Sequence, residues 1–218
     1  MQSAQRELFN RYRALGVGVK LYVQIRYLSG HYALIEKYIP AEGNILDFGC
    51  GIGQLSVFLK LRSARRTIYG YDFSTERIKA AQKASEKLTD IYFYDDRKKL
   101  PDIKWNAAIF FDTLHYMLPP EQDNLLNEYA EKVAPEGLIL IRDVNKNYSA
   151  RYFFTYVHEL IMVSSGLTPS QHRSLYFRNM KETAEFLRSL GFQTKLIPPP
   201  RFHPYADFLL VAKKTDNF

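Results

Sequence analysis

A chain of 218 residues that is 46% hydrophobic and 24% charged is large enough and apolar enough to bury a real core, which excludes a disordered scaffold. Its one cysteine, Cys50, can form neither an internal disulfide nor a cysteine-rich zinc site, so a disulfide-stapled secreted fold is excluded and a reducing, cytoplasmic setting is expected. Lysine and arginine exceed aspartate and glutamate by 30 to 23, and this +7 balance suits either plain solubility or acidic partners such as lipid headgroups, nucleic acid or anionic metabolites.

The opening stretch, MQSAQRELFNRYR, lacks the apolar core of a signal peptide, and no later run approaches the roughly 18 to 20 apolar residues of a membrane span. Residues 3–38 read as helical, with Leu8, Tyr12, Leu15, Val19, Tyr22, Ile25, Ile35 and Tyr38 at irregular helical spacing and breaks near Gly16, Gly18 and Ser29-Gly30. Asn44 to Phe48 is a short apolar strand, followed by a glycine-rich turn and a helix over 54–61. The alternation continues with strand 67–71, helix 75–88, strands 91–94 and 107–111, helix 121–133 and strand 138–142. This predicts an α/β fold whose largely parallel sheet is covered by helices on both faces. Beyond Asp143 comes a segment rich in aromatics (Tyr148, Tyr152, Phe153, Phe154, Tyr156), then a helix over 181–190. Strands 192–196 and 207–212 end the chain, joined by a loop too short for a crossover and so expected to be antiparallel.

The chemistry is concentrated in Asp47-Phe48-Gly49-Cys50-Gly51-Ile52-Gly53, where the first strand ends and the first helix of the alternating region opens. Glycines there let a ligand lie against the backbone, and the helix N-terminus beyond offers unpaired N–H groups; the plainer alternative is a tight turn. A dinucleotide fingerprint would need another glycine where Gln54 or Ser56 stands, and a phosphate loop needs a Gly-Lys pair that the chain lacks. Roughly twenty residues on, Asp72 closes the second strand, where a carboxylate can accept both hydroxyls of a ribose. Asp95 and Asp96 follow the third strand, either lining the same rim or belonging to a solvated loop with Arg97, Lys98 and Lys99. Cys50 has no base or cation beside it in sequence and reads as a turn filler.

The segments ILDFGCGIGQ (45–54), YGYDFS (69–74), Asp95-Asp96 and FFDTLHYM (110–117) together resemble class I S-adenosylmethionine-dependent methyltransferases, a likeness covering residues 32–143. The resemblance implies a Rossmann-like, doubly wound sheet of seven strands, mostly parallel with the last antiparallel. It implies a single methyltransferase domain over 1–218: a helical substrate cover in 1–40, the donor-binding core in 41–143, an aromatic-rich cap in 144–180, and a final helix and strand pair in 181–218. Carried over by position, Asp47, Gly49, Gly51 and Gly53 would cradle the methionine part of S-adenosylmethionine and Asp72 would hold its ribose. Phe73 would flank the adenine, Asp95 or Asp96 would reach its amino group, and Asp112 would lie near the sulfonium; S-adenosylhomocysteine would be the product.

His115, just after the fourth of these strands, is the candidate general base, its ordinary pKa of about 6.5 suiting proton abstraction; the alternative is a histidine that orients its loop. His158, Glu159, His172, Tyr176, His203 and Tyr205 are weaker candidates, and no spacing predicts a metal site. The aromatic segment and the N-terminal helices suggest a small, hydrophobic or lipid-like acceptor, with core packing as the rival use of those side chains. Leu21 to Tyr38 has the composition of a helix able to contact an anionic membrane surface, with plain packing on the sheet as the favoured alternative. Methylation of RNA or another nucleic acid shares the donor site, but no RNA-binding module or dense basic stripe accompanies it. A donor-binding protein without turnover is the third reading, and no obligate protein partner is predicted.

Overall fold

The computed structural model describes residues 2–147, 149–164, 174–201 and 203–215. Tyr148 of the aromatic segment and the candidate His172 lie outside the described residues.

Residues 1–107 and 108–218 form two compact units. In the first, the helical prelude is three helices, α1 (Gln2–Arg13), α2 (Val17–Ser29) and α3 (Tyr32–Glu36). The predicted break at Gly16 (φ 116°) separates α1 from α2 and that at Ser29-Gly30 separates α2 from α3, with left-handed His31 (φ 51°) completing the second turn, whereas Gly18 lies within α2 and does not break it. Then β1 (Gly43–Phe48), α4 (Gln54–Arg62), β2 (Arg66–Tyr71), α5 (Thr75–Ala84) and β3 (Ile91–Tyr94) alternate as expected. Strand β1 pairs parallel with β2 from Gly43 opposite Arg66 to Phe48 opposite Tyr71, and β2 pairs parallel with β3. Its last four residues are all buried, as a parallel strand covered on both faces requires. The helix expected over 75–88 is shorter: the Ser85 hydroxyl donates to the Gln82 carbonyl, and Lys87 and Asp90 then take positive φ.

The prelude is fastened to the turn after β1. The buried Tyr12 hydroxyl donates to the Ile52 carbonyl at 2.8 Å, and the Gln54 side-chain amide donates to the Val23 carbonyl at 2.7 Å. Tyr27 meets Phe9, Tyr32 and Phe58 edge-on, with centroids 5.4–5.5 Å apart.

Strand β4 (Trp105–Phe111) leads into the second unit, which holds α6 (Pro119–Lys132), β5 (Val133–Val144), α7 (Ala150–Ser164), α8 (Met180–Ser189), β6 (Phe192–Ile197) and β7 (Asp207–Lys214). Helix α6 begins at Pro119, earlier than expected, because proline suits a first helical turn and the Glu121 carboxylate accepts the Leu118 N–H at 2.8 Å. The expected strand 138–142 is the core of the part of β5 that pairs with β7; ahead of it Pro135-Glu136-Gly137 carries a left-handed residue, Glu136 at φ 58°. The aromatic segment is helical as α7. Tyr152 packs into a cluster with Val144, Phe177 and Ala206, while Phe153, Phe154 and Tyr156 are exposed, so packing accounts for only part of it.

The seven strands form one sheet in the order β3-β2-β1-β4-β5-β7-β6, with β7 antiparallel to both β5 and β6, which is the predicted doubly wound topology.

Candidate active site

The turn after β1 is held open by three left-handed glycines, Gly49 (φ 77°), Gly51 (φ 56°) and Gly53 (φ 75°). Gly49 and Cys50 both donate their N–H to the Tyr71 carbonyl, at 2.7 and 2.8 Å, which ties the turn to the end of β2. Asp72 completes the tie: one carboxylate oxygen accepts from Gly51 N at 2.9 Å, the other from Ser74 N at 2.9 Å. Capping of α5 falls to the Ser74 hydroxyl, while the Arg77 guanidinium stands 4.0 Å from one oxygen of Asp72, which is 3% exposed.

The glycines differ in what their missing side chains allow. A Cβ on Gly53 would lie 2.7 Å from the Ala81 Cβ and 2.8 Å from the Phe93 ring, so this glycine permits close packing of the turn on α5 and β3. A Cβ on Gly51 would find only the far end of Arg77, at 4.0 Å, so the turn has an open face there. Gly51→Ala is therefore expected to cost about 1–2 kcal/mol, from the left-handed backbone alone. Gly53→Ala adds overpacking and should cost about 2–5 kcal/mol in all. Urea unfolding of both variants checks the order.

Beneath the turn, Asp47 is 1% exposed and accepts the Ser56 hydroxyl at 2.5 Å. Burial raises its pKa to about 6, with the nearby Asp72 charge adding to the rise and the bonds from Ser56 opposing it. Burial, together with Asp47 and Asp72, also pushes the Cys50 thiol well above its ordinary range, which keeps it protonated and agrees with a filler role.

The rim residues are placed as follows. Phe73 is 43% exposed. Asp95 accepts from the Thr75 hydroxyl at 2.9 Å and from Lys99 at 3.3 Å, and these bonds hold its carboxyl below the usual range. Asp96 caps a short turn by accepting Lys98 N at 2.9 Å. Both acids are thus bonded within their own loop, Asp95 to Thr75 at the start of α5 as well.

In the second unit, Asp112 ends β4 with φ 49°, a conformation that needs support in a residue other than glycine. Support comes from Arg142, which is 4% exposed: one guanidinium nitrogen bonds both Asp112 oxygens and another bonds Asp207, while the cation sits 4.8 Å over the Phe111 ring. His115, expected to face an open crevice, is instead 2% exposed. Its Nδ1 lies 2.6 Å from one Asp143 oxygen, its backbone N–H donates to the other, and its carbonyl accepts from Tyr176 N at 2.8 Å. Burial is the largest influence on its pKa and lowers it, but the charge and hydrogen bond of Asp143, with Glu159 and Asp112, outweigh burial and leave it raised. Nε2 has no partner among the described residues. The ring borders a cavity of about 10 Å³ lined by Leu114, Gln122, Val144, Tyr176 and Met180, close to the space of one water. Beside it, Tyr116 donates to Glu159 of α7 at 3.0 Å.

Sequence reasoning named neither Ser56, Arg142, Asp143 nor Asp207 as a site residue. The Arg142-Asp143 pair did leave a signal, two charges closing an otherwise apolar strand; Asp207 and Ser56 left none.

Against this geometry, the family model described as "Methyltransferase domain" matches residues 22–194. The magnesium-protoporphyrin O-methyltransferase of Synechocystis sp. is 31% identical over 147 residues, covering 61% of this chain and 62% of that protein. The ubiquinone biosynthesis O-methyltransferase of Pseudomonas syringae pv. tomato is 24% identical over 187 residues, covering 83% and 78%. The chain spans 62%, 46% and 49% of the length of three curated relatives that it matches. Among solved structures, magnesium protoporphyrin IX methyltransferase from Synechocystis PCC 6803, crystallised with bound S-adenosylhomocysteine, has the same fold: the TM-score is 0.61 at 21% identity, covering 95% of this chain and 94% of that one.

Proposed function

Since the chain belongs to the methyltransferase-domain family, we propose that it transfers the methyl group of S-adenosylmethionine to an oxygen of a small, hydrophobic or lipid-like acceptor, releasing S-adenosylhomocysteine. The observation that carries this reading is the open Cβ position of Gly51 directly beside Asp72, whose carboxylate is fixed by the turn's own N–H. A nucleoside with an amino-acid tail fits such a cradle: hydroxyls donate to Asp72, the tail lies along Gly49 to Gly51, and Asp47 supplies negative charge below it. Phe73 flanks the adenine and Asp95 or Asp96 accepts from its amino group. When bound, the sulfonium provides an activated methyl and leaves as a neutral thioether.

The protein's remaining tasks are alignment and proton removal. An oxygen acceptor is favoured because the two relatives described above are named as O-methyltransferases and because a hydroxyl or carboxylic acid carries a proton to be removed. Asp143 holds the Nδ1–H of His115, which leaves Nε2 as the basic nitrogen, and the adjoining cavity lets it act through one water. The exposed Phe153, Phe154 and Tyr156 of α7 offer apolar contact to the acceptor.

The test is transfer of labelled methyl from S-adenosylmethionine to a panel of hydrophobic phenols and carboxylic acids. At least one is expected to be labelled, at a rate that rises with pH through a midpoint above the ordinary imidazole value, since only neutral His115 accepts a proton. His115→Ala should lower kcat by about a hundredfold or more with acceptor KM little changed. Asp143→Asn, which removes the charge that raises His115, should move the midpoint to lower pH. If His115 only orients its loop, both variants lose thermal stability and the pH profile stays where it was.

A further inference from the structure

The outward face of α2 carries Val17, Leu21, Ile25 and Leu28, exposed by 84%, 56%, 59% and 72%. At about 100° per residue these four fall within an arc of about 80°. Fully buried Val23 lies on the opposite side, and inward-turned Tyr27 locks the helix against Phe9, Tyr32 and Phe58. The helix is therefore anchored by one face and presents an unbroken aliphatic row on the other. Neighbouring α1 exposes Gln2, Ser3, Arg6, Glu7, Asn10 and Arg13, the ordinary outer face of a surface helix. A contiguous aliphatic row of this kind marks a contact surface.

Charge identifies the partner. From Leu8 to Ile35 the chain has no aspartate or glutamate; on α2, Lys20 flanks the aliphatic row, whereas Arg26 lies about 100° beyond its edge at Ile25 and faces away from it. Arg11 is ion-paired with Glu7, while Arg13, at the end of α1, is exposed just ahead of the aliphatic row. We propose that α2 lies flat on an anionic phospholipid surface, with its aliphatic row among the acyl ends of the headgroup layer and Arg13 and Lys20 at lipid phosphates. Thirteen residues extend only about 20 Å, and no helix among the described residues is long and apolar enough to cross a membrane, so the contact is peripheral. Pairing of two copies through this face would set the cations of one against those of the other, which disfavours a self-contact. The exposed row of α7 (Phe153, Val157, Leu160, Ile161) has Arg151 and Glu159 on the same helix and therefore no charge preference of this sort.

Flotation of the full chain with vesicles tests this without any methyl donor. Phosphatidylcholine vesicles containing about a quarter phosphatidylglycerol should carry the protein, pure phosphatidylcholine much less, and high salt should weaken binding. The triple variant Leu21→Ser, Ile25→Ser, Leu28→Ser should bind roughly a hundredfold more weakly. Arg13→Gln with Lys20→Gln should reduce binding to the anionic vesicles selectively. All these positions lie at or near the surface, and the one tryptophan, Trp105, is 1% exposed, so its thermal transition reports whether each variant is folded. Failure to float with either vesicle, equal binding to both, or undiminished binding by the folded triple variant overturns the proposal. So does light scattering that finds a wild-type dimer lost in the triple variant without vesicle binding, since the face would then be a self-contact.

Discussion

Replacing Arg142 with methionine is expected to cost about 3–5 kcal/mol of folding stability, a large part of what a domain of this size possesses. The guanidinium serves two buried carboxylates, Asp112 and Asp207, and methionine would fill its volume while leaving both without a cation. The penalty should depend on pH in a way that a simple packing defect would not. With the cation gone, burial and mutual repulsion raise the pKa of both acids in the folded state, so the folded variant binds protons more readily than the unfolded chain. Its stability then rises as pH falls toward the raised values, and the deficit against wild type narrows. Urea unfolding at pH 7 and pH 5 measures this; a small, pH-independent difference would mean that the trio is not electrostatically coupled. Asp112 also depends on Arg142 for its left-handed backbone, so the end of β4 should lose order in the variant.

Asp47→Asn is expected to separate stability from binding. Burial raises the Asp47 pKa from 3.8 to about 6, so between those values the folded chain holds a proton that the unfolded chain has already released. At pH 7 the ionised form thus destabilises the fold by about 3 kcal/mol, an effect that fades as pH falls through about 6 toward about 4. Asparagine removes this penalty and can still accept the Ser56 hydroxyl, although its own amide needs a partner, which offsets part of the gain. The melting temperature should hold or rise. Affinity for S-adenosylhomocysteine should fall roughly 10- to 100-fold, the value of a charge-assisted contact, and wild-type affinity should itself decline below about pH 6 as Asp47 takes up its proton. A structural acid would give the opposite pattern, with stability lost and any ligand affinity preserved. Thermal melts and ligand titrations across this pH range distinguish the two.

The order of elements was legible because the strands are apolar runs bounded by glycine and charge, and a parallel sheet leaves them little freedom to be anything else. Residues 49–53 stood out as a glycine-rich turn because three glycines follow the strand within five positions. The division of labour among them could not be read, since only packing distinguishes Gly53, pressed on Ala81 and Phe93, from Gly51, which faces open space. Asp47 and Asp72 were visible by position, but the single carboxylate that joins β1's turn to β2's end depends on register. The His115–Asp143 and Arg142–Asp207 pairs join residues 28 and 65 positions apart, and such pairing appears only once the strands are aligned. For α2 and α7 the composition admitted both a contact role and core packing, and which residues face outward could not be read, since apolar periodicity looks like core unless the second face of the helix is known to be occupied.

The functional proposal rests on Gly49 to Gly53, Asp47 and Asp72 acting together as the proposed donor cradle. Its test is a calorimetric titration of S-adenosylhomocysteine into wild-type protein whose Trp105 transition shows it folded. One saturable site per chain, weakened in Asp47→Asn, is predicted; no heat of binding with this compound or with S-adenosylmethionine would contradict the reading.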